Sequence, residues 1–318
     1  MNDLKDKIKS LSREFLEEVI AVRRHLHRNP ELSFKEEKTA SFICDRLDEY
    51  GIPYKDKIAQ TGIIGIIEGK APGKTVALRA DMDALPITEK NETPYRSENE
   101  GVMHACGHDA HMASLLGAAK ILKSLSQEFS GSIKLIFQPS EESYPGGAKV
   151  MIEEGALENP VPEAIIGQHV FPELDSGKIG MRSGRYMAST DEVFITVKGK
   201  GGHAAIPDQV VDPVLIASHI VVALQQIVSR KSKPVMPTVI SFGRICGDGK
   251  TNIIPDEVKL EGIIRTFDED WRGEIKKQIE KIACGIAESM GGSCDIFVDQ
   301  GYPAVVNDKE LTKRSWNN

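Results

Sequence analysis

Between residues 4 and 28, Leu4, Ile8, Leu11, Phe15, Val19 and Val22 recur at steps of three and four. That spacing predicts an amphipathic helix with one buried stripe, closed before Pro30. A second helical stretch over about 35–50 stops at Gly51, a residue free to take the left-handed conformation that ends helices. From residue 60 the pattern changes to short apolar runs: IIGII at 63–67, TVALRA at 75–80, SIKLIF at 132–137 and AIIG at 164–167. Such runs predict strands buried on both faces. The segment HMASLLGAAKILKSL, of helical period, lies between the second and third runs. Strand, helix and strand thus alternate as in a sheet with right-handed crossovers.

Past about residue 182 the order becomes DEVFITVKGK (strand), DPVLIASHIVVALQQIV (helix), PTVISFGRI (strand), VKLEGIIRTF (strand), a helix over about 269–290, and CDIFVDQGY (strand). This β-α-β-β-α-β order is a split βαβ arrangement. The predicted class is α/β: a first domain over 1–183 with a mostly parallel central sheet flanked by helices, then an α+β domain over 184–298. Residues 299–318 are too few to form a domain of their own.

Composition adds limits. A chain of 318 residues with 40% hydrophobic and 27% charged positions has the balance of an ordinary globular protein of about two domains. Lys plus Arg total 40 against 47 for Asp plus Glu, a net charge of −7. That sign is wrong for a protein that binds by neutralising phosphates, so no nucleic-acid partner is expected. No uninterrupted apolar run approaches the roughly 18–20 residues of a membrane span, and the charged start MNDLKDKIKSLSREF is unlike a signal peptide. The expected location is cytoplasmic, with no membrane partner. The five cysteines are odd in number and scattered, unlike a disulfide framework.

The densest chemistry is HACGHDAH at 104–111, just before an apolar helix. Cys106 and His108 can face one point, with Gly107 allowing the tight turn between them, and thiolate and imidazole both bind borderline metals such as zinc. The bland alternative makes Asp109 a helix cap and Cys106 a small buried residue. In QPSEES, Glu141 and Glu142 directly follow an apolar run. Adjacent carboxylates near a low-dielectric crevice call for a compensating cation, and neighbouring residues there point different ways. One can then ligate a metal while the other serves as general base; a solvated turn is the alternative. His169 follows the last run, and a lone histidine is usually structural. Asp81 and Asp83 follow TVALRA and can orient a metal-bound histidine or satisfy a turn. All of these cluster where open α/β sheets bind ligands, beyond the carboxyl ends of strands. Together they favour a metal centre, with one or two ions.

The chain resembles the M20 type of metal-dependent aminoacylases and carboxypeptidases, in particular the hippurate hydrolase and N-acyl amino acid amidohydrolase branch. The resemblance rests on RRHLHRNPELSFKEEKT at 23–39, ALRADMDALPI at 77–87, HACGHDAHMA at 104–113, FQPSEE at 137–142 and GQHV at 167–170. It extends through GKGGHAAIPDQVVDPV at 199–214 and GDGKTNIIPDEVKLEGIIRTFD at 247–268. It implies metal-dependent hydrolysis of N-acylated amino acids, releasing a carboxylic acid and a free amino acid. It implies divalent metal ions, two per chain, with Zn, Mn, Co and Ni not distinguished. The metal ligands it implies are Cys106, His108, Glu142 and His169. Glu141 would be the general base, and Asp83 stands with the catalytic residues. His203 would hold the developing oxyanion, with Asn252 and Arg265 on substrate. The second domain would be an inserted lid that forms a homodimer.

In that family the catalytic domain returns after the lid and supplies another metal-binding histidine. Residues 299–318 would start this returning segment, and no histidine follows His219, which lies in the apolar helix VLIASHIVVAL. The competing expectation is therefore a catalytically impaired, shortened relative, acting at most as a metal- or ligand-binding dimer. A third treats Cys106 as a nucleophile activated by His104 or His108.

Overall fold

The computed structural model describes residues 2–316, and strands form where the apolar runs lie. The chain divides into two compact units, Met1–Lys178 and Ile179–Asn318.

In the first unit, α1 (Asn2–Glu14) and α2 (Leu16–Arg28) stand where one continuous helix is expected, separated at Phe15, which keeps a helical φ but has ψ −1. Helix α3 (Glu37–Glu49) ends before Gly51 at φ +65, as the glycine predicts. Strands β1 (Tyr54–Ile58), β2 (Gly62–Glu68) and β3 (Thr75–Asp81) lead to α4 (His108–Ser124), β4 (Ser132–Gln138), α5 (Gly147–Glu153) and β5 (Ala164–Gly167). The sheet order is β1-β2-β4-β3-β5. β3 is parallel to β4 and to β5, whereas β2 is antiparallel to β1 and β4, so the sheet is mixed. Leu26, Ile43, Leu47, Ile63, Ile67, Met112, Leu116, Leu135 and Phe137 form its main core.

Burial on both faces holds for β4, but not for β5. β5 is an edge strand bonded only to β3, and Ile165 and Ile166 stay 50% and 41% exposed. Inside the sheet, Lys134 is buried because its Nζ donates to the carbonyls of Ala156 at 2.9 Å and Glu158 at 2.7 Å.

The second unit contains β6 (Gly184–Met187), β7 (Asp191–Lys198), β8 (Gly202–His203), α6 (Pro213–Gln226), β9 (Thr238–Cys246), β10 (Ile253–Ile254), β11 (Glu257–Thr266), α7 (Glu269–Ser289), β12 (Ser293–Gln300), β13 (Val305–Asn307) and α8 (Lys309–Trp316). Its main sheet is antiparallel, ordered β12-β7-β11-β9. Alternate residues of β7 are buried, with Val193, Ile195 and Val197 facing α6 and α7 in one core. Pro213–Lys231 is long and apolar enough to pass for a membrane span. Its Ile216, Ala217, Ile220, Leu224 and Ile227 are instead buried in this core, while Ser218, His219, Gln225 and Gln226 face outward.

A buried ion pair joins the start of β7 to α7. Arg272 donates from Nε and Nη2 to the two Asp191 carboxylate oxygens, each at 2.7 Å, and both side chains are almost fully buried. Removing one partner of such a pair costs about 3–5 kcal/mol, because the other charge stays in the interior. Arg272→Ala, which among the described residues leaves Asp191 only Lys276 at 3.4 Å as a cationic partner, is expected to destabilise the second unit by about that amount in denaturant titration. A change under about 0.5 kcal/mol would show that water or Lys276 replaces the guanidinium.

Candidate metal centre

Helix α4 begins at His108, and its N-cap, Gly107, has φ +86. A Cβ at Gly107 would stand 2.4 Å from Val170 Cγ2, so both conformation and space require glycine. Asp109 is therefore not the helix cap. It lies in the first turn, fully buried, accepts from His27 Nδ1 at 2.8 Å and forms an ion pair with Arg23 Nε at 2.6 Å. These contacts tie the start of α4 to α2, and the other His27 ring nitrogen meets Glu89 at 3.1 Å.

Three strand ends surround His108. Asp81 is the last residue of β3, with Asp83 two positions on; His169 follows β5 by the same step. After β4, Ser140 takes φ +45 and donates its amide to Glu36 at 2.8 Å, while Thr61 donates to the other Glu36 oxygen at 2.7 Å. The fully buried Glu36 thus holds the turn that projects Glu141 and Glu142.

Asp83 orients His108. The imidazole Nδ1 donates to the Asp83 main-chain carbonyl at 2.8 Å, with Asp83 Oδ1 at 3.3 Å. The other Asp83 oxygen accepts from Ser33 Oγ at 2.6 Å and the Glu142 amide at 2.9 Å. Burial alone would raise the Asp83 pKa, but hydrogen bonds from His108, Ser33 and the Glu142 and Glu141 amides outweigh it and hold it at about 2. These bonds favour the charged form of the Asp83 carboxyl.

His108 Nε2 is consequently left pointing at the cluster. It lies 3.9 Å from Glu142 Oε1, and both atoms are buried without a hydrogen-bond partner. Cys106 Sγ lies 3.3 Å from His169 Nε2. Donor atoms of Cys106, His108 and His169 fall within 4.8 Å of one another, and so do those of His108, Glu141 and Glu142. Burial disfavours a charged His108, yet Asp83, Cys106 and Asp81 push its pKa up to about 11. The field at this point calls for positive charge. The nearby His108 ring and the hydrogen bond with His169 lower the Cys106 pKa. Glu141 is raised, by burial first and then by Asp81 and Glu142.

A thiolate, two imidazoles and paired carboxylates around buried, unpartnered donor atoms suit a divalent metal of the zinc type. Cys106, His108 and His169 are thus brought together, and so are His108, Glu141 and Glu142. His104 does not join them: it is buried, and burial pushes its pKa down to about 4, leaving a neutral ring without a hydrogen-bond partner among the described residues.

In the second unit, His203 pairs with Ile253 across the short β8–β10 ladder. The Ala204 amide donates to the Asn252 carbonyl at 3.0 Å, so His203 and Asn252 are neighbours. The His203 ring accepts the Ala205 amide at 3.1 Å through Nδ1, leaving Nε2 outward on an exposed side chain. Arg265 lies elsewhere, on β11, and donates to the carbonyls of Asp191 and Ile264.

The patterns of the chain give no role to Ser33, Glu36 or His111. Glu36 looks like one more charge in KEEK, and its burial arises only once β2 and the 139–142 turn close over it.

The peptidase family M20/M25/M40 profile matches residues 77–316. An N-acyl-L-amino acid amidohydrolase of Geobacillus stearothermophilus is 43% identical over 314 residues, covering 99% of this chain and 84% of that protein. A solved putative aminohydrolase from methicillin-resistant Staphylococcus aureus superposes with TM-score 0.94 at 37% identity, covering 100% of this chain and 83% of that one. A dinuclear metal binding peptidase of the M20 family from Bacillus subtilis superposes with TM-score 0.82 at 36% identity, covering 96% and 79%. With its ligand-type residues gathered at the strand ends and these relatives matched along nearly its whole length, the chain belongs to the M20/M25/M40 peptidase family.

Proposed function

We propose that this chain hydrolyses the amide bond of N-acylated amino acids, releasing a carboxylic acid and a free amino acid. The observation that carries this reading is the pairing of Glu141 and Glu142 beside the unpartnered Nε2 of His108. The amidohydrolase relative supports the substrate class. Cys106, His108, Glu142 and His169 are the residues that would hold divalent metal. Donor groups that overlap at His108, and the dinuclear relative, support two ions per chain.

A divalent ion in this position supplies Lewis acidity, polarising an amide carbonyl and easing deprotonation of water. Glu141 does the proton work: its raised pKa suits a carboxylate that takes a proton from the attacking water and passes it to the leaving amine nitrogen. Asp83 fixes the His108 ring through Nδ1, aiming Nε2 at the Cys106 and Glu142 side chains. In the second unit, His203 is assigned to the carbonyl oxygen as it gains charge, with Asn252 and Arg265 on substrate. We read residues 1–183 as the catalytic domain, 184–298 as a lid, and 299–318 as the start of a returning catalytic segment. The scattered, odd-numbered cysteines support a cytoplasmic location.

Glu141→Gln is expected to keep the metal content of the parent protein, read by elemental analysis after dialysis, while hydrolysis of N-acetyl and N-benzoyl amino acids falls at least about 100-fold. Retained turnover would remove Glu141 from the proton path. A parent protein that binds metal yet hydrolyses none of these amides would favour the non-catalytic reading.

Self-association through the second unit is the companion proposal, supported by the exposed Val214, Leu215 and Val222 on α6 and Val239 and Ile245 on β9, an edge strand. Val222, which is 73% exposed, is the test position: Val222→Glu is expected to convert a dimer to a monomer in light scattering. A parent protein that is already monomeric would refute the dimer.

A further inference from the structure

Val170 joins the two loops that carry Cys106 and His169. Its carbonyl accepts from His169 Nδ1 at 2.7 Å, which turns His169 Nε2 toward Cys106 Sγ. Its side chain packs over Gly107, between Cys106 and His108. Its amide donates to His111 Nε2 at 3.0 Å. Most residues from Ile165 to Ser183 are exposed, whereas His111 is 1% exposed and fixed on α4. The His111 bond is thus an anchor from the buried helix to a segment with little packing of its own.

The tautomer of His111 follows from this bond. Nε2 accepts the Val170 amide, so the ring proton resides on Nδ1, which faces Asp81 Oδ2 at 3.6 Å. Asp81 is itself paired with Arg79, whose Nε donates to Gln138 at 2.9 Å. A chain of contacts therefore runs from Arg79 through Asp81 and His111 to the Val170 amide and on to His169.

The geometry points to His111 as a positioning residue that acts through the Val170 backbone to aim His169 Nε2, an assignment that rests on the metal reading of the site. Donor atoms of Asp81, His108 and His111 also converge, as a second ligand set would. Two contacts argue against ligation: the amide occupies His111 Nε2, and Arg79 already neutralises Asp81. Partners that orient a metal-binding histidine commonly change metal affinity by about 10–100-fold when removed.

The test compares His111→Gln, whose amide oxygen can take the place of Nε2 as acceptor, with His111→Phe, which fills similar space without one. Cobalt(II) alone is the probe, titrated into the dialysed 318-residue protein. His111→Phe is expected to bind cobalt about 10–100-fold more weakly, and His111→Gln within about 3-fold of the parent. Equal loss in both variants would mark His111 as a ligand or a purely structural residue, and no loss in either would remove it from the site; each result overturns the proposal. If the parent protein binds no cobalt, the metal reading fails separately. Amide exchange at Val170 in metal-free protein then decides the clamp: faster exchange in His111→Phe but not His111→Gln supports it, and any other pattern overturns it.

Discussion

One buried imidazole organises the first unit. His108 has no exposure, its Nδ1 is committed to the Asp83 carbonyl, and its Nε2 faces Cys106, Glu142 and Glu141 without a hydrogen-bond partner. An unpartnered polar atom in the interior costs about 1–3 kcal/mol, a cost that native folds keep where a ligand repays it. The surrounding carboxylates and thiol make the same demand in electrostatic form. A cation at this point answers both.

Much of the fold serves to hold these mutually repelling groups in place. Glu36 reaches from the start of α3 to the turn after β4; Asp83 ties β3 to the Glu142 amide; Asp109 ties α4 to α2. Each is a buried carboxylate held by two or more polar partners, so the rigidity of the site comes from polar networks in a low-dielectric interior. The apolar core beneath, built from β2, β3, β4 and α4, supplies the strand ends on which the networks stand.

The elements themselves were legible because hydrophobic period marks them directly: IIGII, TVALRA, SIKLIF and AIIG all became strands, and the β-α-β-β-α-β order appears in the second unit. HACGHDAH and the paired glutamates were legible because few structural roles require such residues together. Exposure of β5 was not, since an apolar run looks alike at a sheet centre and at its edge. Nor was the break at Phe15, a local change of ψ that leaves the helical period intact. Ser33, Glu36 and His111 depend on contacts between residues 25 or more positions apart, so periodicity cannot carry them.

The central claim is that Cys106, His108, Glu142 and His169 form a metal centre in this chain. X-ray absorption at the zinc edge, on zinc-loaded and dialysed protein, tests it most directly. A sulfur scatterer at about 2.3 Å together with imidazole nitrogens at about 2.0–2.1 Å is the predicted result, and the sulfur should vanish in Cys106→Ser. A shell of light atoms alone in the parent protein, unchanged by that substitution, would contradict the account.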